Sequence, residues 1–230
     1  MQPYFFPYLG YFSLINYTNI WVVFDTAQFI RHGWIERNRI LGPEGDWNYI
    51  RVPLKKYHRE TKIKDVKIRN EESWRDKIFA QLVHYKKKAP YYKNVINFLE
   101  DAFKFETESI SHLNTHLLKK TFEYLGISFE YIIFSESNIT ISSVNAPDEW
   151  ALNITKALKG DTYVNPPGGI EFFDRKKYVE NKIDLQFLKI KLKPYDQKQN
   201  EFIPGLSIID VMMFNTPKRI REMLHDYELI

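Results

Sequence analysis

Four clusters of residues in this chain have types and spacings suited to chemistry. The densest is Asp25, Gln28, Arg31 and His32, which follows directly on the apolar run Ile20-Trp21-Val22-Val23-Phe24. A carboxylate and an imidazole so close together offer a proton acceptor near neutral pH, which makes Asp25 and His32 the candidate catalytic groups. Arg37-Asn38-Arg39 comes next. Arginine presents a planar fork of donors that fits phosphate, carboxylate or sugar hydroxyls, a task lysine performs less specifically. The two arginines are expected to divide between opposite faces, with at least one in a site. The third cluster is Tyr163-Val164-Asn165-Pro166-Pro167-Gly168-Gly169. Its paired glycines free backbone N–H groups to approach a ligand, and Asn165 can cap or bind. It lacks the lysine and hydroxyl residue of a phosphate-binding P-loop. The fourth is Asp210, which follows Ser207 in an arrangement resembling a helix cap, with Leu206, Ile209, Met213 and Phe214 as a core face. His112 and His116 read as a solvated or half-buried pair, since H-E-x-x-H is absent, and no motif calls for a metal.

The elements that must position these groups alternate between strand and helix. The pattern predicts an α/β fold, a mixed and mostly parallel sheet with flanking helices. The run 20–24 is of buried-strand type, so Asp25 stands at a carboxyl end, the edge where ligands gather in open α/β sheets. Runs 47–53 and 63–68 read as strands on either side of a basic turn, a candidate hairpin. Residues 71–104 carry helical patterning broken near Pro90, and 109–125 make an amphipathic helix stopped by Gly126. Strands are expected at 127–134, 162–164 and 183–192, and helices at 148–158, 206–214 and 218–227. The chain reads as a single domain, 1–230, with 71–125 a possible helical subdomain inserted in it.

Composition narrows the classes. A chain of 230 residues with 44% hydrophobic content buries a substantial core. Its 33 basic and 29 acidic residues are interspersed and leave a net charge of +4, which suits anionic small molecules and does not call for nucleic acid. The absence of cysteine removes disulfides, thiol nucleophiles and thiolate metal sites. No apolar run reaches about 18 residues, and no secretory leader is expected. The expectation is a cytoplasmic protein with no transmembrane segment.

The first residues are built for a shape. Gln2 to Phe12 hold two prolines, a glycine and six aromatic rings. Pro3 and Pro7 fix their own φ and bias the residues before them toward extended backbone, while Gly10 permits a close approach. The segment is expected to run extended, turn near Gly10 and enter a helix over 11–17. It would act either as an anion-binding helix entry or as an aromatic core plug.

The run QPYFFPYLGYFSLIN, the D-x-x-QF at Asp25, RNRI, ISS, YVNPPGG and FIPGLSIIDVMMFN together resemble the WbqC-like family, in the same order and over nearly the whole length. The resemblance implies a protein of bacterial gene clusters that make O-antigen and other surface polysaccharides. It would transfer a glycyl-like aminoacyl group, or another acyl group, onto the amine of an activated, nucleotide-linked sugar. Gln2, Gly10, Tyr11, Asp25, Gln28, Arg37, Asn38, Asn165, Gly168, Gly169, Ser207 and Asp210 match recurring motif positions. On that reading Arg37 and the Gly168-Gly169 backbone hold anionic groups, and Gln2, Gln28, Asn38 and Asn165 orient the sugar. Tyr11, Arg39 and Asp210 complete the substrate-binding set, and Asp25 or His32 takes the proton of the attacking amine. The implied partners are the activated sugar, the acyl donor and other enzymes of the pathway. The cofactor is left open, a divalent cation on the phosphates included. The alternative is a non-catalytic protein that binds the sugar or nucleotide and hands it on. Family members open with a short apolar strand before the QP motif, whereas here Met1 abuts Gln2, so either that strand is missing or truncated or the natural start lies upstream of Met1.

Overall fold

A computed structural model describes residues 1–230. Helix α1 (Leu9–Tyr17) leads into β1 (Trp21–Val23), and β2 (Arg37–Leu41) and β3 (Trp47–Arg51) follow. Helices α2 (Trp74–Leu82), α3 (Tyr92–Ala102) and α4 (Ile110–Leu125) precede β4 (Tyr131–Ile133). Then come α5 (Glu149–Ala157), β5 (Thr162–Asn165), α6 (Arg175–Glu180) and β6 (Asp184–Ile190). The chain closes with α7 (Ile208–Phe214), α8 (Pro217–Met223) and β7 (Tyr227–Leu229). The architecture is α/β, with small parallel and mixed sheets flanked by helices: β1 pairs with β4 in parallel, β5-β6-β7 is mixed, and β2-β3 is an antiparallel hairpin. No helix is long and apolar enough to cross a membrane.

Met1 lies against β1. Its amine donates to Val22 O at 2.9 Å, and the Phe24 N–H donates to Met1 O at 2.8 Å. Bracketing one residue between two partners in this way is the parallel pattern. Gln2 therefore leaves the sheet at the same end as Asp25.

One apolar cluster of 45 buried residues joins Phe5, Phe6 and Phe12 to Trp74, Leu82 and Leu99 of the helical stretch and to Met213 of α7. Residues 71–125 are thus packed into the same core as the amino-terminal segment. A smaller cluster, Leu152, Tyr178, Ile183, Leu185 and Phe187, seats α5 and α6 on β6. Local rules fix α4 well: Ser109 Oγ accepts the His112 N–H, and Gly126 takes φ 66, the left-handed backbone that favours glycine.

Two expected pairings differ. Strand β3 pairs with β2 and not with 63–68, which holds a single turn of 3-10 helix, Ile63–Asp65, and isolated bridges from Ile68 to Leu54 and from Lys67 to Ser109. The alternation of Arg37 to Leu41 makes a strand that a short turn can close on Trp47, whereas the basic stretch 55–62 stays in water. The last helix stops at Met223, and Tyr227–Leu229 becomes a strand that covers the edge of β6.

Candidate functional site

The amino-terminal segment is the frame. Prolines deny it a ladder of N–H donors, and its rings draw it inside, with Phe5 and Phe6 at most 1% exposed. Its carbonyls must therefore find donors elsewhere. Tyr11 Oη donates to Gln2 O, Asn114 Nδ2 to Pro3 O at 3.0 Å and Asn38 Nδ2 to Phe5 O at 3.0 Å. Ser207 Oγ donates to Phe6 O at 2.8 Å, and the Ile208 N–H to Pro7 O at 2.9 Å. Asn38 is buried, and its oxygen accepts the Arg39 N–H, so its polar atoms serve the frame and present no face to a sugar. Tyr11 is also committed to the frame. Leu9, Gly10 and Tyr11 are buried at the start of α1, so the core plug prevails over the anion-binding helix entry. Asn114 had a sequence signal: with Ser111, Thr115 and Thr121 it places polar side chains on the buried stripe of α4.

At the carboxyl ends of the strands, Asp25 is 1% exposed and its oxygens are occupied. Oδ1 accepts the Ser135 N–H at 3.1 Å, and Oδ2 accepts the hydroxyls of Ser135 at 2.6 Å and Ser111 at 3.3 Å. The buried carboxylate ties β1, β4 and α4 together. Asn165 closes its own turn: Tyr163 Oη donates to its oxygen at 3.0 Å, and its nitrogen donates to Pro166 O at 3.1 Å. A Cβ on Gly169 would collide with the Asn165 side chain, whereas Gly168 stands in open space. Gln28 is exposed, and its amide donates to Arg59 O at 2.6 Å.

A cavity of about 650 Å³ separates β1 from β5 and takes in the side chain of Gln2 together with Tyr4, Trp150, Tyr163 and Phe172. Of its 23 lining residues, 15 are hydrophobic and none is lysine or arginine, so a phosphate-bearing molecule has no counter-charge there.

The counter-charge lies on the outer face of the β2-β3 hairpin. Register sets Arg37 opposite Arg51, Arg39 opposite Tyr49 and Leu41 opposite Trp47. Arg37 and Arg39 share this face, correcting the expectation that they diverge, because side chains two apart in a strand project the same way. The Arg39 guanidinium lies over two rings, 5.4 Å from the centre of Trp34 and 5.3 Å from that of Trp47, and Arg37 lies 4.1 Å over Tyr49. Trp47, Tyr49 and Arg51 repeat the two-residue period of Arg37 and Arg39, and this was the signal that reading β2 alone missed. Arg37 also donates to His32 O and, at 3.4 Å, to Gly33 O, while Glu36 Oε1 accepts the His32 N–H at 2.9 Å. These contacts hold the exposed His32 at φ 63, a backbone few non-glycine residues adopt. The backbone of His32 is therefore tied to Arg37, whereas Asp25, Asn38 and Asp210 are held inside.

Asp210 is fully buried. It accepts from Tyr85 Oη at 2.6 Å, Gln197 Nε2 at 3.0 Å and Tyr195 Oη, and Tyr85 Oη accepts the Leu41 N–H at 2.8 Å. Burial raises the Asp210 carboxyl above its ordinary value, with the three donors pulling it back, and burial also raises both tyrosines well above theirs. The folded state thus holds the Asp210 proton to higher pH than the unfolded chain does. The linked stability is full below the ordinary carboxylate value and is lost as pH rises through the raised one. Tyr85→Phe strips Asp210 of a donor and the Leu41 N–H of its acceptor. It is expected to destabilise by about 2–4 kcal/mol and to steepen the loss toward neutral pH. Urea denaturation at several pH values measures both.

Among known proteins, the chain is similar to Rv1507c, an uncharacterised protein of Mycobacterium tuberculosis, with 25% identity over 219 residues that cover 94% of this chain and 91% of that protein. No solved structure matches it. The model of the WbqC-like protein family matches residues 2–222, nearly the entire length, and the chain belongs to that family.

Proposed function

We propose that this protein is a cytoplasmic transferase of bacterial surface polysaccharide biosynthesis, moving a glycyl-like or other acyl group onto the amine of an activated sugar. Family membership supports the pathway. The observation that carries the reading is a hairpin face of arginines and aromatic rings whose Arg37 holds the backbone of the exposed His32. Arginine suits the anionic part of an activated sugar, and a ring face suits a sugar or a base. In the reaction the sugar amine attacks the activated acyl carbon. The C–N bond forms, the bond to the leaving group breaks, and the amine proton passes to the His32 imidazole. Asp25, buried and hydrogen-bonded to Ser111 and Ser135, keeps the strand ends in place.

The test is incubation of the purified protein with nucleotide-linked amino sugars and candidate donors, glycine with ATP and acyl carriers among them, read by mass spectrometry. The sugar is expected to gain the mass of one acyl group. Saturable sugar binding with no product from any donor would favour the second reading, a non-catalytic carrier. The observation on that side is that His32 stands alone, with Asp25 shut away from it.

A further inference from the structure

We infer that the outer face of the β2-β3 hairpin is a binding site for a nucleoside diphosphate, with the pyrophosphate on Arg39, Arg37 and Arg51 and a flat ring stacked on Trp47 or Trp34. This deepens the proposed function by naming the activating group, and it rests on that reading only for the sugar attached to the diphosphate.

Three observations carry it. Arg37 and Arg51 stand directly opposite each other across the hairpin, and like charges so placed repel. No carboxylate lies within ion-pair distance of Arg37, Arg39 or Arg51, although sixteen ion pairs form elsewhere. A face that assembles three arginines and withholds every acidic partner is complementary to an anion from outside. Second, the Arg39 guanidinium is underused. Its Nε is buried with no partner, and its one hydrogen bond, to Gly205 O, is long at 3.4 Å. Contacts with both tryptophan rings hold it in place, ready for a bidentate acceptor. Third, Trp34 and Trp47 are 38% and 39% exposed, so each offers a free surface beside the charge.

Arg37 and Arg39 are separated by about 7 Å along the strand. Two linked phosphoryl groups span that spacing better than one. The ring surfaces then distinguish a nucleoside diphosphate from bare pyrophosphate, since stacking on an aromatic side chain strengthens binding by about tenfold or more.

The experiment is calorimetric titration of the intact protein with UDP, ADP, pyrophosphate and uridine, with tryptophan fluorescence as a second readout. One or both nucleoside diphosphates are expected to bind at least tenfold more tightly than pyrophosphate or uridine. Arg39→Ala is expected to weaken that binding at least tenfold. Should Arg39→Ala fail to fold, the exposed Arg51→Ala and Trp47→Ala replace it, each with a loss of about five- to tenfold. Folded Arg51→Ala and Trp47→Ala proteins that bind the diphosphates as tightly as the parent would overturn the inference. So would absence of binding to both diphosphates, or retention of single-stranded RNA with steep salt dependence in place of it. Because the readout is binding, diphosphate affinity in a protein with no transferase activity would uphold this site while refuting the transfer reaction.

Discussion

Replacing Asn114 with alanine is expected to destabilise the protein by about 2–5 kcal/mol and to lower its melting midpoint by about 5–15 °C. Asn114 is fully buried, and its single amide nitrogen serves two carbonyls, Pro3 O at 3.0 Å and Ile35 O at 2.8 Å. Truncation leaves both without this donor, at about 1–3 kcal/mol each. A partial offset comes from Asn114 Oδ1, which is buried without a partner and leaves with the side chain. The residue joins the amino-terminal segment to the loop that carries Trp34, so the same variant should loosen the hairpin face. Chemical denaturation gives the energy. A change below about 0.5 kcal/mol, the usual range for surface substitutions, would mean that the segment does not depend on this latch.

His32→Ala is expected to lower turnover by about two to four orders of magnitude while leaving ligand affinity within a few fold. The imidazole is exposed, and only its backbone is held, by Glu36 and Arg37. Removing the ring therefore takes away the proton acceptor without dismantling the arginines. Glycine at this position would also relieve the positive φ, so alanine is the cleaner test. Asp25→Asn supplies the contrast. Its effect should fall on stability, because an amide nitrogen cannot accept from the serine hydroxyls and the backbone N–H that the carboxylate now serves. Full turnover in His32→Ala would remove the imidazole from the mechanism.

Much of the fold was legible because its signals are local. The cap at Ser109 and the glycine at 126 delimit α4, and the β-branched run before Asp25 marks β1. What escaped was decided by tertiary pairing. The alternation in Arg37 to Leu41 is plain, but the partner of Trp47–Arg51 is decided by the short turn that brings β2 beside it, and local pattern does not distinguish β2 from 63–68. Tyr227–Leu229 has no helix-breaking residue before it, and only the open edge of β6 makes it a strand. The site divided in the same way. Arginine chemistry at 37 and 39 shows in the residue types. The tasks of Asn38 and Ser207 do not, because they answer to carbonyls of a proline-rich segment whose need for donors exists only once that segment is buried.

The most direct test of the central claim, that this chain works on an activated sugar, is the shift in melting temperature of the purified protein with nucleotide-linked amino sugars. A ligand at a hundred times its dissociation constant adds about 2.7 kcal/mol to stability, or about 5–10 °C for a domain of this size. Such a rise is expected with at least one of them. A cooperative melt that none of them moves would contradict it.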